Sequence, residues 1–286
     1  MKKIVIPYNK EQMDLTKNLV DGYIIGIKDM SVNTFYNIDI KKLDDLDYSK
    51  EIFISLNKNI ENKDLDRLKD FLLILNNYPI KGVLYSDVCF VNLKKQLKIN
   101  YDLVWASEHL STNYETINYW SNFGINYTYL SSDIKLSDIL DIRLNTSVKL
   151  MTNIFGYLPM FVSKRHIVKN YLKKFNIKDD SDIHYIMKEN KTYPIVDTNI
   201  GTFVYSNNLL NSLKEVNILE ENGIEYGVIN GFDIDSDIFL KIIKIINNVN
   251  KNNVIESIDE INKLIPNTDT GFMYLDTISK VKKWKR

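Results

Sequence analysis

The chain is 286 residues long, 44% hydrophobic and 26% charged, with 37 Lys+Arg against 37 Asp+Glu. That length suits one large α/β domain, and the charge balance removes any overall electrostatic pull toward nucleic acid while leaving local patches open. A single cysteine, Cys89, excludes an intrachain disulfide and a thiolate-ligated metal centre.

In chain order, short apolar and β-branched runs recur as KIVIP at 3–7, GYIIGI at 22–27, EIFISLN at 51–57 and KGVLYSD at 81–87. DLVWASE at 102–108, NYTYLSS at 126–132, VKLMTNIF at 148–155 and YGVING at 226–231 follow. Nearly continuous apolar character marks strands covered on both faces, as in a parallel sheet. Helical patterns lie between them. Residues 10–20 place Met13, Leu19 and Val20 near one face, and 62–77 carry a stripe of Leu65, Leu68, Leu72 and Leu75 opposite charges. Residues 113–124 end at Gly124, a suitable helix cap.

Eight strands separated by helical segments predict a TIM-type (β/α)8 barrel, one domain over 1–286. The alternative, an open doubly wound sheet, usually carries a glycine-rich first turn, whereas the first strand here runs into IPYNK. The spacing breaks once, with about seventy residues between the seventh and eighth strands, too many for a simple connection. Within them YPIVDTNIGTFVYS at 193–206 reads as a β-hairpin turning at Asn199 and Gly201, preceded by a helical piece at 164–174. Residues 208–223 read as the helix returning to the eighth strand. The predicted insertion, 156–207, starts at the carboxyl end of a strand, so it is expected to cover the barrel's C-terminal mouth.

Strand ends should face that mouth. They supply Asn57, Ser86, Asp87, Ser107, Glu108, His109, Ser131, Ser132, Asp133, Gly156, Tyr157, Asn230 and Asp233, although strand-end loops are polar in most proteins. Glu108 and His109 form the leading acid/base pair, since imidazole titrates near neutrality and a carboxylate can orient it. Neighbours on an extended strand point opposite ways, so both reach one substrate only across a turn; His109 packing at the next helix is the competing reading. Asp87 is a third candidate, as base, hydroxyl-binding group or helix cap. Asn57, Ser107, Tyr157 and Asn230 are expected to bind substrate. Lys164, Arg165 and His166 form a basic cluster suited to phosphate, carboxylate or RNA backbone, or simply a solvated helix face. His184 reads as surface-packed. Three scattered histidines without an HExxH pattern predict no metal site. Cys89, in VCFV, reads as a buried small hydrophobe, and no GxSxG, Walker or GxGxxG pattern occurs. No apolar run approaches the roughly 20 residues of a bilayer span, and the start MKKIVIPYN lacks the features of a secretory signal, so a cytoplasmic, non-membrane protein is expected.

Five segments together resemble a known family: VLYSD at 83–87, WASEHLSTN at 105–113, FGYLPMFVSKRHIVKNYL at 155–172, YPIVDTNIGTFVYSNNLL at 193–210 and YGVING at 226–231. In this order, and on to DTGFMYLD near the end, they resemble peptidase family U32, the collagenase-like proteases, and within it a short, cysteine-free Firmicute branch. The resemblance implies a TIM-type barrel. It also implies one of two activities: peptidase action of no established catalytic type, or prephenate-dependent, oxygen-independent hydroxylation, of tRNA wobble uridine among other targets, by members that sometimes work as paired paralogues. The chain departs from the family signature. Met151 and Asn153 stand where the signature has Glu and Phe, and Pro159 and His166 replace its two cysteines. Lys164 replaces a glycine, and Asn230 and Phe232 stand where the family often has Glu and Arg, while Gly156 is kept. The ligands of the iron–sulfur cluster carried by some members are therefore expected to be missing. The resemblance leaves three functions open: a cluster-less member or partner subunit in tRNA wobble-uridine hydroxylation, with a prephenate-like co-substrate, a cysteine-bearing paralogue and tRNA as companions; a collagenase-like peptidase; or a non-catalytic scaffold.

Overall fold

A computed structural model describes residues 1–275; Asp276, the last residue of DTGFMYLD, lies outside them. The eight apolar runs form strands β1 (Lys2–Ile6), β2 (Gly22–Ile27), β3 (Glu51–Ser55), β4 (Gly82–Tyr85), β5 (Asp102–Trp105), β6 (Tyr127–Tyr129), β7 (Lys149–Gly156) and, after the insertion, β13 (Tyr226–Asn230). All pair in parallel with their neighbours. The ring closes where β13 lies between β1, at Lys2↔Tyr226 through Ile6↔Asn230, and β7, at Tyr226↔Met151 through Ile229↔Phe155.

Although each strand is apolar over most of its length, its residues still alternate in direction. Ile4, Ile6, Ile24, Phe53, Leu84, Val104, Tyr127, Met151, Tyr226 and Val228 fill the barrel interior. Val5, Tyr23, Ile25, Ile52, Ile54, Val83 and Leu103 pack outward against the helices. The interior is thus a solid core below the mouth, as expected of an eight-stranded barrel.

The outer layer comprises α1 (Lys10–Thr16), α2 (Leu65–Leu75), α3 (Cys89–Leu97), α4 (Tyr114–Ser121) and α5 (Leu136–Asn145), then α7 (Leu213–Glu221), α8 (Ser236–Asn248) and α9 (Val254–Leu264) after the insertion. The crossover from β2 to β3 has a 3-10 segment, Ile40–Asp45, in place of an α-helix. Side-chain caps start several helices: Asn9 accepts from the Gln12 N–H at 2.9 Å, and Asn113 from the Thr116 N–H at 2.9 Å. Gln12 is fully buried yet satisfied. Its amide donates to the carbonyls of Gly231 and Ile234 and accepts from the Tyr8 N–H, tying α1 to the loop after β13.

The long connection between β7 and β13 holds more structure than its periodicity suggests. Besides the expected hairpin, β10 (Lys191–Asp197) and β11 (Thr202–Tyr205), it adds edge strands β8 (Pro159–Ser163) and β9 (His184–Lys188). The result is a four-stranded antiparallel sheet in the order β9-β10-β11-β8. These edge strands escape a pattern reading because Met160, Phe161, Val162, Tyr185, Ile186 and Met187 are all exposed, so no alternation of burial is written into them. Helix α6 (Ile167–Phe175) begins three residues later than expected, leaving Lys164 and Arg165 before it and His166 at its cap position. The returning helix also starts late, at Leu213, because Leu209–Asn211 forms a short strand, β12, antiparallel to β7.

An aromatic cluster fixes the sheet to the barrel. Val196, Phe203 and Tyr205 of the insertion meet Tyr8, Phe35, Tyr157 and Phe232. Phe35 stacks on Phe232 at 4.1 Å, and Tyr205 lies 4.4 Å from Phe232. Each buried ring contributes about 1.5–3 kcal/mol, so this cluster holds the insertion more firmly than exposed polar tethers such as Tyr185–Asp233 at 2.9 Å, Lys164–Glu61 at 3.1 Å and Asn199–Asp29 at 3.4 Å. Among the described residues, no helix is long and apolar enough to cross a membrane.

Candidate active site

Several strands end earlier than their apolar runs: β3 stops at Ser55, β4 at Tyr85, β5 at Trp105 and β6 at Tyr129. The released residues form loops around a cleft of about 540 Å³, its open side included, at the C-terminal end of the barrel. Asn33, Asn57, Asn153, Asn230, Ser107, Tyr129 and Glu108 supply its polar lining, and Ile6, Ile24, Leu84 and Pro159 its apolar wall.

Most of these polar groups are held by neighbours. The Asn57 side-chain oxygen accepts from the Val32 N–H at 2.8 Å and the Ser55 hydroxyl at 2.9 Å. Asn230 accepts from the Phe232 N–H at 3.0 Å and donates to the Tyr157 carbonyl at 3.2 Å, spending both ends of its amide on the backbone. Tyr129 donates to Asn153 Oδ1 at 2.6 Å. Among the described residues, the NH2 groups of Asn57 and Asn153 have no protein acceptor, so they are available to a ligand.

Glu108 is the carboxyl of this lining. It is partly buried, and among the described residues its side-chain partners are distant: Asn33 Nδ2 at 3.4 Å and Ser132 Oγ at 3.5 Å. Desolvation, aided by the negative charge of Asp133, pushes its carboxyl up to about 7 against the opposing effect of Asn33 and Ser132. A carboxyl near 7 is present in both forms at neutral pH, the condition for proton exchange with a bound molecule.

The Glu108–His109 pair separates in space. His109 is largely exposed outside the cleft, with Nδ1 3.8 Å from Asp133 Oδ2. Ser131 donates to Asp133 and to the Glu108 carbonyl, and is buried. Asp133 therefore sits between serine and histidine, which is not the order of a catalytic triad, where histidine lies between the other two. Asp87 uses both oxygens as caps, accepting from the Cys89 N–H at 3.0 Å and the Ile60 N–H at 3.3 Å. Tyr157 lies in the aromatic cluster, its hydroxyl pushed up to about 12 by burial and by Asp233.

The basic cluster stands on the insertion, outside the cleft lining. Arg165 is exposed, and its carbonyl accepts from the Thr202 hydroxyl at 2.6 Å. His166 is partly buried, with Nδ1 lacking a partner among the described residues. Of the expected residues, the mouth therefore gathers Asn57, Ser107, Glu108 and Asn230; His109, Asp87, Tyr157, Arg165 and His166 lie elsewhere. Sequence reading missed Asn33, Asn153 and Tyr129 as site residues. For Asn153 a signal existed, an amide inside the otherwise apolar VKLMTNIF. Asn33 follows a strand end that offered no polar residue within its run.

A four-cysteine iron–sulfur cluster does not fit these residues. Pro159 forms part of the cleft wall, His166 stands at the cap position of α6, and the lone cysteine, Cys89, opens α3. Its thiol is pushed up to about 12 by burial and by Asp87, opposite to the depressed thiolates that bind metals.

Comparison with known proteins agrees with this architecture. The model of peptidase family U32 matches residues 15–275. The tRNA hydroxylation protein P2 of Bacillus subtilis (strain 168) is 24% identical over 250 residues, covering 80% of this chain and 81% of that protein. The tRNA hydroxylation protein P1 of the same strain is 18% identical over 125 residues, 44% of this chain and 30% of that protein. A solved U32 peptidase shares the fold at a TM-score of 0.50 with 12% identity, covering 80% of this chain and 92% of that one. With its closed parallel barrel and a match over most of its length, the chain belongs to peptidase family U32.

Proposed function

We propose that this protein acts in tRNA hydroxylation, at the wobble uridine, with the barrel mouth receiving the nucleobase. The observation that carries this reading is the chemistry of the cleft: amide groups, hydroxyls and one carboxyl poised near neutrality, without a cation. A neutral planar ring with donors and acceptors on its edge suits such a lining, as amides and protonatable carboxyls pair with base edges. The likeness to the P2 protein along four-fifths of both chains supports it. Prephenate or a related acid is the proposed co-substrate. The chain holds no cluster ligands, so a cysteine-bearing paralogue of the same family is the proposed partner, in the cytoplasm where tRNA is modified.

Peptidase action would require an activated nucleophile beside a base. Ser131 is instead committed to Asp133 and a backbone carbonyl, and His109 turns to solvent. The test is deletion of the gene followed by mass spectrometry of tRNA nucleosides. Wobble-uridine hydroxylation should fall and return with the wild-type gene, but not with Glu108→Gln or Asn153→Leu. Unchanged hydroxylation in the deletion strain would refute the proposal.

A further inference from the structure

We propose that a basic track running from a groove beside the mouth onto the outer side of α6 holds the RNA backbone, with Tyr171 and Phe175 as a stacking platform. This deepens, and rests on, the reading of tRNA as substrate. The chain as a whole is neutral, yet residues 164–178, KRHIVKNYLKKFNIK, contain Lys164, Arg165, Lys169, Lys173, Lys174 and Lys178 and no Asp or Glu. Asp179, Asp180 and Asp182 follow just beyond, Asp179 facing His184 at 3.3 Å, and Asp197 accepts from the Lys169 N–H at 2.9 Å. Among the described residues, Arg165, Lys169, Lys173, Lys174 and Lys178 have no carboxylate within ion-pair distance. Five unpaired cations on one short segment make a local positive field that overall composition conceals.

The helix is also turned to show rings. Val168 is buried and Leu172 partly buried, whereas Ile167, Tyr171 and Phe175, spaced four apart, are 40%, 56% and 55% exposed. The two rings lie 4.7 Å apart, and Lys174 stands 5.5 Å over Phe175. Aromatic faces interleaved with free lysines are the chemistry that binds single-stranded or looped RNA.

Lys164 joins this surface to the mouth. With Lys58, Lys63 and Arg67 it lines a groove that shares Val32 and Asn57 with the cleft. Two acids, Asp29 and Glu61, line it as well; Glu61 serves both Lys63 at 2.8 Å and Lys164 at 3.1 Å, and Lys58 pairs with Asp64 at 3.1 Å. Counting Asp64, four cations thus meet three acids and one positive charge is left over. An anionic lipid surface would meet the lysines of α6 but is flat and cannot follow them into a concave groove, whereas a polynucleotide chain can.

The experiment is fluorescence anisotropy with a 17-nucleotide anticodon stem-loop across a KCl series, using the full chain alone and with any co-purifying paralogue. Lys169→Gln/Lys173→Gln should weaken binding and reduce the salt slope by about 1.5, at roughly 0.7–0.9 per lost phosphate contact. Tyr171→Ala/Phe175→Ala should weaken binding about tenfold while leaving the slope unchanged. Urea unfolding of each variant verifies that the fold persists. The proposal is overturned if wild type does not bind the stem-loop, if both variants bind like wild type, or if they lose only phosphatidylglycerol vesicles or a co-purifying protein. Gene deletion separates the two ideas. Hydroxylation that needs the gene but tolerates both variants leaves the functional reading standing and removes the track. Hydroxylation indifferent to the gene removes the reading, and anisotropy alone then decides the track.

Discussion

Gly156 stands where β7 leaves the barrel and the insertion begins, and replacing it by alanine should be among the most damaging single-methyl changes in the chain. Its φ is +109°, a conformation that L side chains rarely adopt. A Cβ there would lie 2.3 Å from the Asn230 carbonyl oxygen and 2.8 Å from the Asn230 Cβ. Neither atom can swing away: the oxygen belongs to the backbone of β13, and the Asn230 side chain is held by Phe232 and Tyr157. Relief requires β7 and β13 to part at the seam that closes the barrel. The backbone term is about 1–3 kcal/mol, and forced overpacking adds about 1–3 kcal/mol, giving a loss of about 4 kcal/mol. Gly124→Ala is the internal control, because Gly124 also has a positive φ, +77°, but no atom within 4 Å of its Cβ position; it should lose only the left-handed backbone cost of about 1 kcal/mol. Urea unfolding of both variants measures the difference. If Gly156→Ala costs no more than Gly124→Ala, the proposed crowding at the seam is wrong.

Three further outcomes are expected. The Glu108 carboxyl lies higher in the fold than in the unfolded chain, so the native state binds the extra proton between about pH 4.5 and 7 and loses stability as pH rises through that window, by about 3 kcal/mol at most. Glu108→Gln should remove this dependence, and urea midpoints from pH 5 to 8 that run parallel to wild type would count against it. Arg143 bonds the Val148 carbonyl at 3.0 Å and Glu225 at 3.1 Å, while Glu225 accepts from the Leu150 N–H at 2.8 Å. Arg143→Met should therefore cost about 3 kcal/mol by calorimetry or urea unfolding, with Glu225→Gln in the same chain restoring part of it. Cys89 should react with a disulfide reagent at pH 8 on the order of 10³-fold more slowly than a free thiol, and faster in Asp87→Asn; rapid labelling of the native protein would contradict its partly buried, acid-paired setting.

The barrel was legible because its signal is local: eight apolar runs at regular spacing can bury both faces only as a parallel sheet wrapped by helices. The position of the insertion was legible for the same reason, as the one place where that spacing fails. What the chain order hides is direction. Glu108 and His109 are adjacent in sequence, yet one lines the cleft and the other meets solvent, because the turn after β5 separates them. Asp87 looks like a base on paper and serves two backbone N–H groups in the fold. Asn33 and Asn153, 120 positions apart, meet at the mouth only because β2 and β7 are strands of one closed ring. Strands β8 and β9 were invisible to periodicity, since exposed edge strands need no alternation and are placed mainly by backbone pairing to β11 and β10. Local hydrophobic pattern thus decided the architecture of this U32 protein. The composition of its site was decided by which strand ends the closed ring brings together, a long-range property that no single segment encodes.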